Sequence, residues 1–347
     1  QSRAAFRAHR RAIHPALRLA DTSCHDRTRR TSDAAIPPCP YSCRVFEAGD
    51  IVSGYTVDTL LGGGGSADVY LAHRTGSDDV VALKVLHTDP TSHPRARERF
   101  AREFTIASVL DHPHIVAMYE QGEIPERPPA PPTMWMTMQY VDGPESSVLV
   151  PKHSDEPDIA AILRVSGHIA DALDYAHSMD VLHRDVKPAN ILLNAARDCA
   201  YLTDFGIAQL IDDVSPLARN GRVGGSIAYA APELLQAQQL TASTDLYALA
   251  CTMMEWLTGL PPYPRSTTFA ITHAHLHDPV PPLSWRRKWL PTGLDAIFAK
   301  CLSKSPAARY DSCTQFVDIV AHMLRDVPVP AAHASVRRWP WERADRD

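Results

Sequence analysis

The sequence predicts an α+β fold with two lobes, a small β-rich N-lobe followed by a larger helical C-lobe. Between residues 55 and 86, short β-rich apolar segments flank a run of four glycines, which is typical of strands joined by turns. From residue 158 onward, apolar residues recur at helical spacing. The chain has 347 residues, of which 45% are hydrophobic, and this suits a soluble globular protein with a sizeable core.

We predict that residues 1–48 form a flexible arm, because they are rich in Arg, Ser, Thr and Pro and sustain no apolar period. Residues 1–44 contain nine Arg and three Asp, whereas the whole chain has a net charge of −5. A basic arm could contact nucleic acid or anionic lipid, but a solvated tail is the simpler interpretation. Nothing else in the sequence supports a nucleic-acid partner, so we predict none. Residues 327–347 are predicted to be a disordered tail.

The N-lobe is predicted to span residues 49–141. Strands are expected from Tyr55, from Asp68 and over residues 80–86. Helical spacing then follows over residues 95–110. Two further strands are predicted over residues 115–120 and 133–141, separated by a proline-rich loop that can be neither helix nor strand. These elements give five strands and one helix.

The C-lobe is predicted to span residues 142–326 and to be mainly helical. Helices are expected over residues 159–179, 244–257, 293–302 and 314–324, with short strands near 191–193 and 201–203. No apolar run approaches the roughly 18 residues that a membrane helix needs, so we predict no membrane span in this chain. Membrane attachment is expected only if the native chain is longer.

The cysteines suggest a reducing compartment. Seven cysteines are scattered without a disulfide framework, which favours the cytoplasm. Cys39 and Cys43, with Cys24-His25 upstream, match no standard zinc spacing.

Two features of the N-lobe suggest phosphate binding. The run Gly62–Gly65 lets the backbone approach a ligand closely, although a flexible hairpin turn explains it equally well. Lys84 lies in an apolar strand near that turn; it could neutralise phosphate charge, or its ammonium could extend outward to solvent. A buried ammonium needs a carboxylate, for which Glu103 is the candidate and Glu98 the alternative.

Two acidic segments in the C-lobe complete the pattern. The loop His183–Asn190 contains a carboxylate (Asp185) that can orient a hydroxyl and accept its proton, a positive charge (Lys187) and an amide oxygen suited to Mg²⁺. Fourteen residues after Asn190 stands Asp204-Phe205-Gly206, whose carboxylate can bind the same class of cation. Phosphoryl transfer requires mainly such positioning and charge neutralisation.

These motifs occur in the order that is characteristic of protein kinases. Over residues 50–326 the chain closely resembles a bacterial Hanks-type (eukaryotic-like) serine/threonine protein kinase. The resemblance implies a bilobal protein-kinase fold. It also implies transfer of the γ-phosphoryl group of ATP to Ser or Thr hydroxyls of proteins, including the kinase itself.

The resemblance assigns roles to individual residues. Asp185 is the expected catalytic base, with Lys187, Lys84 and Glu103 completing the catalytic set. Asn190 and Asp204 are expected to hold Mg²⁺, for which Mn²⁺ can substitute. Residues expected to form the ATP site are Leu61, Gly62, Gly63, Gly64, Gly65, Ser66, Ala67, Val69, Ala82, Lys84, Met138, Gln139, Val141, Glu145, Asn190 and Asp204.

The resemblance also predicts supporting contacts. His183 and Phe205 are expected to join an internal apolar spine. Glu233, in Ala231-Pro232-Glu233, is expected to pair with Arg309, and Asp245 to brace the catalytic loop.

The sequence departs from the family pattern at three positions. Ala67 replaces a glycine of the Gly-rich loop, and Ser226 replaces a threonine that contacts the catalytic Asp; both changes are expected to be tolerated. The usual phosphorylated threonines are absent from residues 207–225, so activation either relies on Ser215 or needs no phosphate there. Arg184, which receives that phosphate in relatives, is present.

The sequence argues against two other functions. A pseudokinase or scaffold would be expected to lose Lys84, Asp185, Asn190 or Asp204, and all four are present. A small-molecule phosphotransferase would generally lack the Ala231–Glu233 segment and Lys187. Expected partners are ATP and protein substrates, and the resemblance allows a homodimer.

Overall fold

The computed structural model of the chain describes residues 46–63, 67–86, 95–124, 133–152, 155–205 and 225–330. The fold is α+β with two lobes, as the sequence predicts: a six-stranded sheet with one helix precedes a mainly helical region. The predicted arm, tail and proline-rich loop lie outside the described residues, apart from a few residues at their edges.

The N-lobe sheet is antiparallel, with the strand order β1-β2-β3-β4-β6-β5. Its strands are β1 (Ile51–Val52), β2 (Tyr55–Gly63), β3 (Ala67–Arg74), β4 (Val80–Leu86), β5 (Met118–Ile124) and β6 (Thr133–Gln139). The short β1 was not predicted. β5 begins three residues later than expected because the preceding segment binds the C-lobe instead: Val116 N–H donates to the Leu202 carbonyl over 2.9 Å, and Leu202 N–H donates to the His114 carbonyl over 2.8 Å.

The pleat of β4 decides which way Lys84 points. Val81, Leu83 and Val85 pack into one apolar cluster with Trp135. Ala82 and Leu86 pack on the opposite face, in a cluster that contains Met136 and Phe100. Because side chains alternate along a strand, Lys84 shares the second face, towards the helix.

That helix is α1 (Arg95–Ala107). Phe100 and Ala107 are buried on its inner side, which places Glu103, one turn after Phe100, on the same side. The helix ends three residues before the predicted end, and Leu110 is buried from the following turn instead.

The C-lobe is built around a large helical core. Its helices are α2 (Ile159–Ser178), α3 (Pro232–Leu235), α4 (Ala242–Thr258), α5 (Thr268–His277), α6 (Leu283–Arg286), α7 (Gly293–Cys301) and α8 (Cys313–Leu324). α2 begins at the N-cap Asp158, whose side chain accepts from Ala161 N–H, and α4 ends at Gly259 in a left-handed conformation. α3, α5 and α6 were not predicted.

A short hairpin, β7 (Ile191–Leu193) and β8 (Ala200–Leu202), follows the predicted catalytic loop. The connection from β6 passes so close to it that a Cβ on Gly143 would lie 2.1 Å from the Leu193 carbonyl oxygen. Glycine is therefore required at residue 143 for this connection to pass the hairpin. Within the part of the chain that the structure describes, no helix is both long enough and apolar enough to cross a membrane.

Candidate active site

Lys84 joins both lobes through two carboxylates. Its Nζ donates to Glu103 Oε1 over 2.7 Å and to Asp204 Oδ1 over 2.8 Å. Glu98, the alternative partner, is exposed on α1. The helix geometry therefore selects Glu103, and the pair connects β4 to α1 within the N-lobe.

The charges in this cluster stabilise one another. Burial alone would lower the pKa of Lys84, but Asp204 and Glu103 raise it above its ordinary value. The ammonium of Lys84 lowers the pKa of Asp204 and outweighs the effect of burial. Burial raises the pKa of Glu103, and Lys84 partly offsets that rise. At neutral pH the cluster thus holds a charged ammonium against an ionised Asp204.

A second cluster surrounds Asp185. Lys187 Nζ donates to Asp185 Oδ2 over 2.6 Å and to Ser226 Oγ over 2.7 Å. Asn190 Nδ2 donates to the Asp185 backbone carbonyl over 2.8 Å and to its Oδ2 over 2.9 Å. Oδ2 thus accepts both side-chain bonds, which orients the carboxylate. Ser226 Oγ binds Lys187, so its link to Asp185 runs through that lysine, whereas the sequence predicts a contact with the catalytic Asp itself.

A buried carboxylate supports the backbone of the loop that carries Asp185. Asp245 on α4 accepts from the backbone N–H groups of His183 and Arg184 over 2.8 and 2.7 Å. His177 Nε2 lies 2.8 Å from Asp245 Oδ2. Arg184 has φ of 69°, a conformation that is unfavourable for a side-chain-bearing residue. The Asp245 contacts therefore hold the loop in a strained shape, as the predicted bracing role requires.

His183 ties this loop to the segment that carries Asp204. Its Nε2 donates to the Thr203 carbonyl over 2.9 Å, and its Nδ1 accepts from Asp185 N–H over 3.2 Å. The His183 and Phe205 rings are 4.8 Å apart, so these two residues pack together as predicted. Asp204 itself has φ of 57°, a second strained position in the same site.

The two clusters belong to one site. The charge of Lys187 lowers the pKa of Asp204, in addition to the effect of Lys84. A separate buried ion pair anchors the segment Ala231-Pro232-Glu233. Arg309 Nη1 and Nη2 donate to the two carboxylate oxygens of Glu233 over 2.7 and 2.8 Å.

The family model for the protein kinase domain matches residues 55–323. The chain belongs to the protein kinase family. The resemblance predicted from the sequence is therefore confirmed, and so is the bilobal kinase fold.

Curated relatives include kinases from Mycobacterium tuberculosis. The chain is 36% identical to the serine/threonine-protein kinase PknJ over 312 residues, which cover 85% of this chain and 51% of PknJ. It is 38% identical to the serine/threonine-protein kinase PknF over 283 residues, which cover 80% of this chain and 57% of PknF. The chain thus spans about half the length of these relatives.

The solved kinase domain of Mycobacterium tuberculosis PknI has the same fold. It is 32% identical, with a TM-score of 0.63, and the match covers 81% of this chain and 100% of that domain. Kinases of this family use ATP and a divalent metal ion.

The strand register brings together most of the residues predicted for the ATP site. Val69 pairs with Lys84, and Ala82 pairs with Met138. Leu61, Gly62 and Gly63 are exposed at the end of β2, and Ala67 begins β3. The remaining residues of the glycine turn, Gly64, Gly65 and Ser66, lie outside the described residues.

The segment after β6 refines two predicted adenine contacts. Gln139 N–H donates to the Ala117 carbonyl over 2.8 Å, so the predicted backbone contact of Gln139 with adenine would not use this N–H. Val141 is buried, whereas Glu145 is exposed at the start of a 3₁₀ turn. Met138 lines a small cavity behind the site together with Glu103 and Asp204.

The residues predicted to hold the metal fit a hard cation. The Asn190 side-chain amide donates from Nδ2 to Asp185. The side-chain carbonyl oxygen of Asn190 is therefore the atom that can bind another partner. Asp204 uses Oδ1 for Lys84, which leaves Oδ2 as a second oxygen ligand. Oxygen ligands of this kind are those that Mg²⁺ prefers.

Three functional contacts were missed in the sequence. His177 donates to Asp245, Ser146 Oγ donates to the Pro188 carbonyl over 2.8 Å, and His275 Nε2 donates to the Ala228 carbonyl over 3.1 Å. The third reaches the 3₁₀ segment Gly225–Tyr229, which also contains Ser226. No local spacing signals these contacts, because each joins residues that lie more than 40 positions apart.

Ser215, the hydroxyl proposed to support activation, lies outside the described residues. Arg184, the expected phosphate receiver, has its Nε buried without a hydrogen-bond partner among the residues that the structure describes. The two activation hypotheses therefore stay open predictions.

Proposed function

We propose that this chain is a serine/threonine protein kinase that transfers the γ-phosphoryl group of Mg-ATP to Ser or Thr hydroxyls of proteins in bacterial signalling. One observation carries the proposal: Lys84 bound to Glu103 and Asp204 lies in the same site as Asp185 bound to Lys187 and Asn190. This arrangement combines the groups that phosphoryl transfer needs.

Each residue has a physical role in the proposal. Asp185 orients the substrate hydroxyl and accepts its proton, while Lys187 supplies positive charge beside the same hydroxyl. Lys84 binds phosphate oxygens and is held in place by Glu103. Asn190 and Asp204 hold the divalent ion, Mg²⁺ by preference and Mn²⁺ as a substitute. When bound, that ion neutralises phosphate charge and orients the phosphates for transfer.

The proposed substrate is a protein Ser or Thr rather than Tyr. Lys187 stands two residues after Asp185 and contacts Ser226 as well, which is the arrangement that the family resemblance implies for Ser/Thr kinases. The names of the relatives agree with this choice. The pseudokinase alternative has no support, because the residues that it would lose are present and bound to one another.

The remaining predictions also stand as proposals. They are the lobe boundaries at residues 49–141 and 142–326, a cytoplasmic location, a homodimer and the lack of a nucleic-acid partner.

Phosphate transfer to a generic basic protein tests the function. We expect wild type to label Ser and Thr, and Asp185→Asn and Lys84→Met to lose at least about 10²-fold in rate. Asp318→Asn and Lys288→Met are matched controls, because both side chains are exposed outside the site. Equal labelling by the wild type and the two site variants would reject the enzyme, and labelling on Tyr alone would reject the substrate class.

A further inference from the structure

A group of soft metal ligands lies outside the ATP site, where the loop between α1 and β5 meets the C-lobe. His114 of that loop, His168 of α2 and Cys199 before β8 each offer one ligand atom, and these atoms all lie within 4.8 Å of one another. None of the three residues is fully buried, so an ion from solvent can reach them.

The spacing and chemistry suit a thiophilic cation. Cys199 Sγ and His114 Nδ1 are 3.6 Å apart. Two ligands on a tetrahedral Zn²⁺ are separated by about the same distance, given Zn–S and Zn–N bonds of about 2.3 and 2.0 Å. One thiolate with two imidazoles is a ligand set typical of Zn²⁺ rather than of Mg²⁺.

The rings of His114 and His168 are stacked. Their centroids are 4.0 Å apart and their planes differ by 13°. His114 Nδ1 donates to the Ala200 carbonyl over 3.0 Å, and His168 Nδ1 accepts from Ala200 N–H over 3.3 Å. Lone pairs of parallel rings do not converge, so one ring must turn to bind an ion. Binding through His114 Nδ1 requires that nitrogen to lose its proton and its bond to the Ala200 carbonyl, and a metal–nitrogen bond takes the place of that bond.

A second group of similar composition offers less. Asp174 accepts from the backbone N–H groups of Cys313 and Thr314 at the start of α8, over 2.9 Å in each case. His177 is bound to Asp245, and Cys313 is buried. The ligand atoms of this second group already have structural partners. At the first group the competing contacts are those of the two histidines with Ala200 and the hydrogen bond between Tyr201 and Cys199.

We propose that His114, His168 and Cys199 form a binding site for a thiophilic divalent cation such as Zn²⁺. These three side chains leave a fourth tetrahedral position for water. The bound ion links the α1–β5 loop to α2 and to the β7–β8 turn. It thereby reinforces the same joint between the lobes that the backbone bonds of Leu202 make.

Titration of the full chain with Co²⁺, without Mg²⁺ or ATP, tests the site. We expect one Co²⁺ per chain, a near-ultraviolet thiolate-to-cobalt band, and displacement of the band by Zn²⁺. Cys199→Ser should abolish the band, and His168→Gln should weaken binding at least about tenfold. Because no phosphate transfer is measured, failure here is distinct from failure of the proposed function.

The controls separate this site from other ligands in the chain. His277→Gln, on α5, and joint replacement of Cys24, Cys39 and Cys43 by Ser should leave binding unchanged. Lack of the thiolate band in wild type overturns the proposal, as does its loss when the three N-terminal cysteines are replaced. If either site variant fails to fold, X-ray absorption on Zn²⁺-loaded wild type decides: one sulfur and two imidazoles support the site, and any other protein ligand set overturns it.

Discussion

Lys84 stands between two carboxylates that differ in their surroundings. The Glu103 side chain is 15% exposed, whereas that of Asp204 is 45% exposed. Glu103 is therefore suited to hold the ammonium permanently, because it has little contact with water. Asp204 is accessible enough to exchange part of its contact with Lys84 for a cation. In the proposed function the two partners of Lys84 would therefore serve different purposes, Glu103 a structural one and Asp204 one directed at the cation.

The first prediction concerns Glu103. Glu103→Gln should lower kcat by about tenfold or more, because a buried hydrogen bond between charged groups becomes weaker when one charge is removed. Glu98→Gln on the same helix is the matched control, since Glu98 is exposed, and its kcat should equal that of wild type. Steady-state kinetics with ATP and a basic protein substrate measure both. Equal kcat for all three proteins would mean that the pair with Lys84 is dispensable.

At the scale of elements, α5 orders the segment that contains Ser226. His275 on α5 is fully buried, and burial together with the charge of Lys304 lowers its pKa to about 3. The neutral ring donates from Nε2 to the Ala228 carbonyl and accepts at Nδ1 from the Tyr247 hydroxyl over 2.9 Å. The ring thus joins α4, α5 and the Gly225–Tyr229 segment through one side chain.

The second prediction follows from this contact. His275→Phe should raise KM for the protein substrate about fivefold or more, because it leaves a buried carbonyl and a buried hydroxyl without partners. KM for ATP should stay near the wild-type value, since the nucleotide residues lie elsewhere. His277→Gln on the same helix is the control. A general loss of folding would instead change both KM values and the melting temperature, and would argue against a positioning role.

The third prediction concerns pH and the Glu233–Arg309 pair. Burial alone would raise the pKa of Glu233, but Arg309 brings it below its ordinary 4.5. Because the folded-state pKa is the lower one, the ionised carboxylate stabilises the fold fully above about pH 4.5 and loses this contribution as pH falls through the folded value. Glu233→Gln should lower the free energy of unfolding by about 3 kcal/mol at pH 7, because the Arg309 charge stays buried.

Denaturant unfolding across pH measures this effect. The difference between wild type and Glu233→Gln should shrink below about pH 4.5, while the exposed-site variant Glu98→Gln should differ little from wild type at any pH. A difference that stays constant down to about pH 3 would contradict the assignment of the lowered pKa to this pair.

Elements were predictable where the apolar period was strong. The N-lobe strands and α2 follow the sequence pattern closely, because burial on one face requires that pattern. α5 was missed because three of its ten residues are histidines and its largest apolar residue, Phe269, is exposed, so the helix has no clear apolar face. The late start of β5 could not be predicted either, since its cause is a pair of hydrogen bonds to Leu202 in the other lobe.

At the scale of the whole molecule, the lobes meet at a few specific contacts. Lys84 reaches Asp204, and the α1–β5 loop is bonded to Leu202. The sequence predicted the members of the active site because their order along the chain is characteristic. It did not predict supporting contacts such as His177 with Asp245, because those depend on how the helices pack. Because the lobes are joined by a few specific contacts, a ligand that touches both lobes should stabilise the whole molecule.

The fourth prediction tests that coupling with Mg²⁺ and ATP. At about 100 times its dissociation constant, Mg-ATP should stabilise the chain by about 2.7 kcal/mol, a rise of several degrees in melting temperature. EDTA should reduce the rise to that given by ATP alone, because Asn190 and Asp204 hold the ion in the proposal. Asp204→Asn should lose the Mg²⁺-dependent part of the rise, whatever its own melting temperature, while the exposed-site variant Asp318→Asn should retain it. A full Mg²⁺-dependent rise in Asp204→Asn would mean that other residues hold the ion. The proposed role of Asp204 as a cation ligand would then be wrong.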